Sequence, residues 1–289
     1  MKEGRQKKIL VENVKETVKS DVKYDDGRKW HDHVSSLVKQ GKLLELAKCQ
    51  LTDLTWKSYI FNMKKGTLKF ILNATLDTLP TNANLKQCGK SPSDICRNCG
   101  MRETTAHILI NCKISLDQAR LTWRHDNILN YIAKSLDKET FECYIDIPNE
   151  KTKSDRTIPL EIAMTNDRPD IVIIDKKDKS IHIFELTVPF EMNIDARHTY
   201  KENKYAYLLT DITDYATTVT AFEVGARGFV STDNRERLKS LHKFCKKNIK
   251  LKTFIENISS LAVNSSYYLF LCRKDPVWTD PPPLAPPFS

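Results

Sequence analysis

The chain has 289 residues and a formal net charge of +9, from 46 Lys and Arg against 37 Asp and Glu. Hydrophobic residues make up 40% of the chain and charged residues 29%, which is enough for a folded core and excludes wholesale disorder and low-complexity fibres. The positive charge predicts an anionic partner, although it does not distinguish nucleic acid from an acidic membrane.

The cysteines bear on the cellular compartment. The opening residues, MKEGRQKKILVENV, hold no apolar run of the kind found in secretory signals, and no later segment is apolar enough for a membrane span. We therefore expect the eight cysteines to lie in a reducing compartment, where thiols bind metal or pack in cores more often than they form disulfides.

Composition divides the chain into four regions. Residues 1–42 are predicted to be a polar connector, 43–140 a helical region, 141–252 an α/β core and 253–289 a C-terminal extension. Six of the twelve prolines lie among the last fourteen residues, so the extension is predicted to end in an extended, disordered tail.

Helical periodicity predicts two helices in the second region. The first, Lys65–Leu79, is strongly apolar and stops before Pro80, as a helix should. Helical spacing of apolar residues returns from Ser115 to Leu136. Residues 85–112, between the two, are predicted to be a loop.

The third region changes to β-branched residues, which predict strands. The predicted elements are strands over 158–165, 171–175 and 180–188, a helix over 194–209, a strand over 217–224 and a basic helix over 232–249. The fold class is therefore α/β, with a helical N-terminal region followed by a mixed-sheet core flanked by helices.

One loop carries closely spaced cysteines and a histidine. The spacing is Cys96-x2-Cys99-x7-His107-x4-Cys112. Three thiolates and one imidazole are the ligands of a closed, structural zinc site, with no position left for water. The alternative is four unrelated residues, namely packed or exposed thiols and a hydrogen-bonded histidine. A zinc knuckle here would also present Arg97 and Arg102 to phosphates.

An acidic pair lies on the predicted hairpin. If the turn closes symmetrically on Lys177 and Asp178, Asp170 stands directly opposite Glu185, with Cβ atoms roughly 5 Å apart. Carboxylates so close repel each other, and a divalent cation bound between them would offset this repulsion. The alternative is a pair of strand-end carboxylates that face solvent.

Further charged residues are candidates for the same site. The following helix offers Lys201 and Lys204, either of which is placed to orient an attacking water or stabilise a phosphate. Glu161 is a candidate third carboxylate, with a surface role as the alternative.

Much of the positive charge lies in one segment. Residues 235–252 hold eight Lys and Arg and one Glu, and their lysines are predicted to follow one side of the basic helix. These lysines are Lys239, Lys243, Lys246, Lys247 and Lys250. A ridge that follows nucleic-acid phosphates is one interpretation and a solvated helix face the other, while nuclear import is a weaker hypothesis.

The motifs together resemble a known family. RPD at 168–170, ELTVPFE at 185–191 and KENKY at 201–205 are similar to the restriction-like endonuclease domain, of the PD-(D/E)xK superfamily, found in site-specific non-LTR retrotransposons. That family has a Cys-Cys-His-Cys zinc knuckle upstream, and the segments KGTLKFILNATLDTLPTNANLK and SLDQARLTWRHDNIL also resemble the connector around it. The resemblance covers roughly residues 66–228.

The resemblance implies a DNA nickase that depends on Mg²⁺ or Mn²⁺. Asp170 and Glu185 would hold the metal, and Arg168 would contact DNA. Thr187 occupies the usual lysine position, so the catalytic lysine would be Lys201 or Lys204; Lys204 is slightly favoured because it stands beside Tyr205. The alternatives are an inactive zinc-knuckle protein that binds nucleic acid and a resolvase-like nuclease that cuts branched DNA. The implied partner is double-stranded DNA, with element RNA as a second, in the nucleus and not at a membrane.

Overall fold

The computed structural model describes residues 2–37, 55–148 and 157–287, and the chain divides into two compact units, 1–49 and 50–289. In the first unit, α1 (Lys2–Ser36) is one long helix, and from residue 13 onward nearly all of its side chains are exposed. The region expected to be a polar connector is therefore helical as far as Ser36. Residues 38–42 and Cys49 lie outside the described residues.

The second unit contains the remaining elements. Its α-helices are α2 (Lys65–Thr75), α3 (Asn82–Gln87), α4 (Lys113–Asp117), α5 (Arg120–Ser135), α6 (Ile194–Tyr205), α7 (Leu208–Asp211), α8 (Thr232–His242) and α9 (Leu251–Leu271). Its strands are β1 (Glu142–Ile145), β2 (Ile171–Asp175), β3 (Ser180–Thr187) and β4 (Ala216–Glu223). Short 3-10 helices span Thr55–Asn62, Glu191–Asn193 and Cys272–Lys274, and a π-helix spans His107–Asn111. None of the helices within the described ranges is both long enough and apolar enough to cross a membrane.

The four strands form one mixed sheet in the order β1-β2-β3-β4. Strands β1, β2 and β3 are antiparallel neighbours, while β4 lies parallel to β3 after the crossover through α6 and α7. A parallel pair requires such a crossover, because a tight turn can only reverse the chain. The predicted α/β class is confirmed at this level.

Helices cover both faces of the sheet. Side chains of one face, including Phe184 and Phe222, pack with Ile128 of α5 and Phe254 of α9. On the other face, alternate residues of β2 and β3 pack with Tyr205 and with residues of α7. The central core thus combines residues on both sides of the predicted boundaries at 140 and 252, which explains why residues 50–289 form one unit.

One predicted strand is wrong. Residues 158–165 form a turn in which the N–H groups of Ile162 and Ala163 donate to the carbonyl of Pro159. Ile158 is buried there, so its hydrophobicity reflects packing from a turn. The strand that pairs with β2 at this edge of the sheet is instead β1, which is only four residues long.

The predicted basic helix is shorter than expected. It ends at His242, and the chain then pairs with the end of α5, where Lys246 N–H donates to the carbonyl of Ser135 at 2.9 Å. Lysines three and four residues apart would repel each other along a longer helix, which disfavours its continuation. The predicted apolar positions Leu238 and Leu241 are nevertheless buried.

The proline-rich tail is extended as predicted, but it is ordered rather than disordered. The indole of Trp123 donates to the carbonyl of Pro281 at 2.9 Å, and the N–H of Leu284 donates to Asn127 at 2.7 Å. Trp278 also packs edge-on against Trp123. Residues of α5 therefore satisfy the polar groups of a segment that has no secondary structure of its own.

Candidate functional site

The predicted zinc ligands lie together. One ligand atom from each of Cys96, Cys99, His107 and Cys112 lies within 4.8 Å of all the others, and Cys99 Sγ is 3.3 Å from His107 Nε2. This Cys3His cluster can hold a structural metal such as zinc, which favours four sulfur and nitrogen ligands in a tetrahedron.

Local backbone structure places these four side chains. Cys96 and Cys99 flank a tight turn that Gly100 closes with a positive φ of 76°, a conformation that glycine adopts without strain. His107 begins the π-helix, and Cys112 directly follows it, so the wider helical turn spaces these two ligands. The predicted loop is thus built of a turn and a π-helix.

Burial controls the proton affinity of Cys96 and His107, whereas at Cys112 hydrogen bonds, chiefly from Ser115, outweigh burial and lower the pKa of the thiol. Burial raises the pKa of the Cys96 thiol to about 11 and lowers the pKa of His107. The imidazole is therefore neutral, as a metal ligand must be, while Cys96 keeps its proton until a cation displaces it.

The two predicted carboxylates meet at one end of the β2–β3 hairpin. Ile171 pairs with Phe184, so the register continues to Asp170 opposite Glu185, as the symmetric turn predicts. The N–H of Asp170 donates to Glu185 Oε2 at 3.0 Å, and the N–H of Leu186 donates to Asp170 Oδ2 at 2.7 Å. Both side chains are buried, Glu185 with only 2% exposure.

Lys201 is the lysine that reaches this pair. Its ammonium donates to Glu185 Oε1, whereas Lys204 donates to the hydroxyl of Tyr205 at 2.7 Å. The Tyr205 hydroxyl lies 3.4 Å from Glu185 Oε1, so Lys204 is one hydrogen bond further away. The structure therefore favours Lys201 over the slightly preferred Lys204.

The electrostatics of Glu185 reflect these neighbours. Burial and the adjacent Asp170 raise the pKa of Glu185, and Lys201 opposes that rise. Burial and Glu185 likewise raise the pKa of Tyr205, so its hydroxyl stays protonated. Both oxygens of Glu185 already accept hydrogen bonds, whereas Asp170 Oδ1 accepts none from the described residues, so Asp170 Oδ1 is the open oxygen of the pair.

A histidine from α5 completes the surroundings of Asp170. His125 Nε2 lies 3.2 Å from Asp170 Oδ2, and His125 Nδ1 lies 3.2 Å from Asp126 Oδ1. Burial disfavours the imidazolium, but Asp170 and Asp126 outweigh this effect and raise the pKa of His125 to about 10. His125 is thus a cation held between two carboxylates.

A cleft of about 520 Å³ opens beside Asp170. It runs from the residues just before Cys112, through the start of α5, to the end of β3 and the first turns of α6. Its polar lining residues are Asn111, Thr122, Arg124, His125, Asp170, Thr187, Asn193, Arg197 and Lys201. Asp170 of the carboxylate pair lines this cleft, and so do Ile110 and Asn111 of the π-helix that ends before Cys112.

Two other predicted residues have partners or positions of their own. Glu161 is exposed on the turn that replaces the predicted strand. Its role as a third carboxylate stays a prediction. Arg168 pairs with Asp146, on the loop after β1.

The predicted phosphate-binding side chains are on the surface. Arg97 is exposed, and Arg102 pairs with Asp94 at 3.4 Å. All five lysines of the basic segment are exposed; Lys239 lies on α8, and the other four follow its end. The structure therefore leaves these lysines accessible, without the single helical ridge that the sequence predicted.

Sequence reasoning missed Tyr205 and His125 as site residues. Tyr205 carries a usable signal, because it lies four residues after Lys201 and the i, i+4 spacing puts both on one helix face. His125 has no such signal, since only the packing of α5 against the sheet end brings it to Asp170.

Among the remaining cysteines, Cys245 is buried, Cys143 and Cys272 are half-buried and Cys88 is exposed.

No protein-family model matches the chain, and no curated protein matches its sequence.

Proposed function

We propose that this chain is a metal-dependent DNA endonuclease that nicks one strand, with Asp170 and Glu185 as the ligands of Mg²⁺ or Mn²⁺. The observation that carries this proposal is the contact among two buried carboxylates, Asp170 and Glu185, and the ammonium of Lys201. Asp170 donates its N–H to Glu185, and Lys201, from the next helix, donates to the other oxygen of the same carboxylate. Buried charges and carboxylates with raised pKa values, such as Glu185, cluster at functional sites, which supports a catalytic role for this set.

The architecture supports the same function. The chain has a helix, three antiparallel strands, a crossover helix and a parallel fourth strand. The resemblance to restriction-like endonucleases implies this order of elements. The carboxylates lie at the end of the central hairpin, and the lysine comes from the crossover helix α6. Fold analogy alone does not establish function, so the site itself is the stronger support.

Each residue has a distinct role in this proposal. Asp170 and Glu185 would hold the cation, which when bound would supply Lewis-acid stabilisation of the charge that develops on the scissile phosphate. Lys201 balances the buried Glu185 carboxylate and offers an ammonium to the phosphate, and Tyr205 fixes Glu185 through its hydroxyl. His125 and the N–H of Leu186 hold Asp170 Oδ2, which leaves Oδ1 for the cation.

Double-stranded DNA is the proposed partner, and element RNA a second. Zinc in the Cys3His cluster would stabilise the wall of the cleft that precedes Cys112, and the exposed lysines from Lys239 to Lys250 would attract phosphates. The proposed location is the nucleus, where such a substrate resides.

A plasmid assay tests the proposal. The chain is incubated with supercoiled plasmid and Mg²⁺ or Mn²⁺, beside Asp170→Ala, Glu185→Ala and the exposed hairpin-turn variant Lys177→Ala. We expect nicked circles from the parent and Lys177→Ala, none from either carboxylate variant, and none with EDTA. Tight DNA binding without metal-dependent nicking would instead indicate an inactive nucleic-acid-binding protein.

A further inference from the structure

We propose that the cleft beside Asp170 is a subsite for a DNA phosphate neighbouring the scissile one, on the strand that is cut. This inference rests on the proposed function, because it places the substrate strand relative to the carboxylates. It assigns ligand-binding roles to Arg197, Thr187 and Arg124, none of which was predicted from the sequence to bind a ligand.

Arg124 brings a buried positive charge to the cleft. Its side chain is 2% exposed, and its two terminal nitrogens donate to the carbonyls of Leu109 and Val188 and to Ser266. No carboxylate among the described residues accepts from this guanidinium, and its Nε is buried without a hydrogen-bond partner. Glu191 acts electrostatically on Arg124 but is already paired with Arg227, so the buried guanidinium is only partly compensated. An anion in the cleft would lower the cost of burying it.

Thr187 adds a second unsatisfied group on the same lining. Its Oγ1 is buried and has no hydrogen-bond partner in the described part of the chain. Thr187 lies at the end of β3, two residues after Glu185, so strand alternation puts both side chains on one face. A hydroxyl that the protein leaves unpaired at this position is available to a ligand.

Arg197 provides an accessible cation at the mouth of the cleft. It lies on α6, one turn before Lys201, and it is exposed and forms no ion pair with any residue that the structure describes. The cleft lining therefore holds Arg124, Arg197, Lys201 and the ring of His125 beside one carboxylate, Asp170. The balance of charge favours an anion.

A phosphodiester fits this donor set. Guanidinium and ammonium groups form strong, charge-assisted hydrogen bonds to phosphate oxygens, and a hydroxyl adds a neutral one. Because Asp170 lines the same cleft, a strand whose scissile phosphate lies at the carboxylates would place an adjacent phosphate between Thr187 and Arg197. The subsite would thereby fix the direction of the strand across the metal.

Binding without cleavage tests the subsite. The affinity of a short fluorescein-labelled DNA duplex is measured by anisotropy with Ca²⁺ in place of Mg²⁺, over a series of salt concentrations. We expect Arg197→Ala to weaken binding about tenfold, because one hydrogen bond from a charged group is lost. The slope of log affinity against log salt concentration should become less steep by about 0.9. Thr187→Val should weaken binding about threefold.

Lys177→Ala is the matched control, because it removes one exposed positive charge from the far end of the same hairpin. Its affinity and salt dependence should stay close to those of the parent. Unchanged affinity and unchanged salt dependence in Arg197→Ala, or a parent chain that does not bind the duplex, would overturn the subsite. The proposed function fails separately, by the absence of metal-dependent nicking in a chain that binds.

Discussion

The contact between Lys201 and Glu185 makes a prediction about stability. Lys201 is 22% exposed and donates to Glu185, which is 2% exposed. Removing one partner of a fully buried ion pair costs about 3–5 kcal/mol, because the other charge is left uncompensated. Water reaches Lys201, and Glu185 keeps its bonds from Asp170 and Tyr205, so we expect Lys201→Met to lower the free energy of unfolding by about 2 kcal/mol in metal-free protein.

The loss should depend on pH. Burial and Asp170 raise the pKa of Glu185, and without Lys201 the pKa rises further. A group whose pKa is higher in the folded state contributes stability that is fully present below the unfolded pKa, ordinarily 4.5 for this carboxyl, and lost as pH rises through the folded value. The deficit of the variant should therefore vanish below pH 4.5 and be complete near neutrality.

Urea denaturation in EDTA measures both effects. With a slope of about 3 kcal/mol per molar urea, the midpoint of Lys201→Met should fall by about 0.7 M near neutral pH. Lys204→Met is the matched control on the same helix, because Lys204 contacts Tyr205 rather than a carboxylate, and it should lose less than about 1 kcal/mol. An equal loss on both sides of pH 4.5, or a larger loss in the control, would refute this reasoning.

Three other predictions concern the cleft, the tail and the metal cluster. Thr187→Val should raise the free energy of unfolding by about 1 kcal/mol, because it removes a buried hydroxyl that has no partner, and a lower urea midpoint would contradict this. Truncation after Lys274 should lower stability by about 3 kcal/mol in the same assay, because four hydrogen bonds to α5 and the residues before it are lost; an unchanged midpoint would count against an ordered tail. One zinc ion should bind per chain with release of protons at neutral pH, since burial raises the pKa of Cys96 to about 11, and calorimetry in buffers of different ionisation enthalpy detects it. Cys99→Ser should lose the zinc and Cys88→Ser should keep it; a parent chain that folds without binding zinc would refute the assignment.

The features that local spacing determines could be predicted from the sequence. The hairpin register follows from a polar turn between two apolar runs, and this register alone places Asp170 opposite Glu185. The Cys3His cluster likewise depends on short spacings within one loop. In both cases the contacts join residues that are close in sequence.

The features that depend on distant packing could not be predicted in the same way. Strand β1 is short and half-buried, and only its pairing with β2 makes it a strand. The apolar run at 158–165, in contrast, forms a turn whose buried side chains pack against the core. The tail has a composition typical of disorder, yet Trp123 and Asn127 of α5 order it through single hydrogen bonds. His125 joins the site for the same reason, across 45 residues of sequence.

The choice between Lys201 and Lys204 depends partly on local spacing and partly on packing. Proximity to Tyr205 in sequence favoured Lys204, but helix geometry places residues four apart on one face, which aligns Lys201 with Tyr205 toward Glu185. The information was present in the sequence, and the helical spacing was the correct guide.

The most direct test of the proposed nuclease is the initial rate of plasmid nicking in Mg²⁺. The parent chain and Asp170→Asn are compared at equal zinc occupancy. Asparagine keeps the shape of the side chain and removes its charge, and Asp126 still faces His125, so folding and DNA binding should persist. We predict a rate at least about 100-fold lower in Asp170→Asn, because electrostatic stabilisation at the phosphate is lost. Equal rates in the two proteins, or rates that EDTA does not change, would contradict a metal-dependent nuclease built on Asp170 and Glu185.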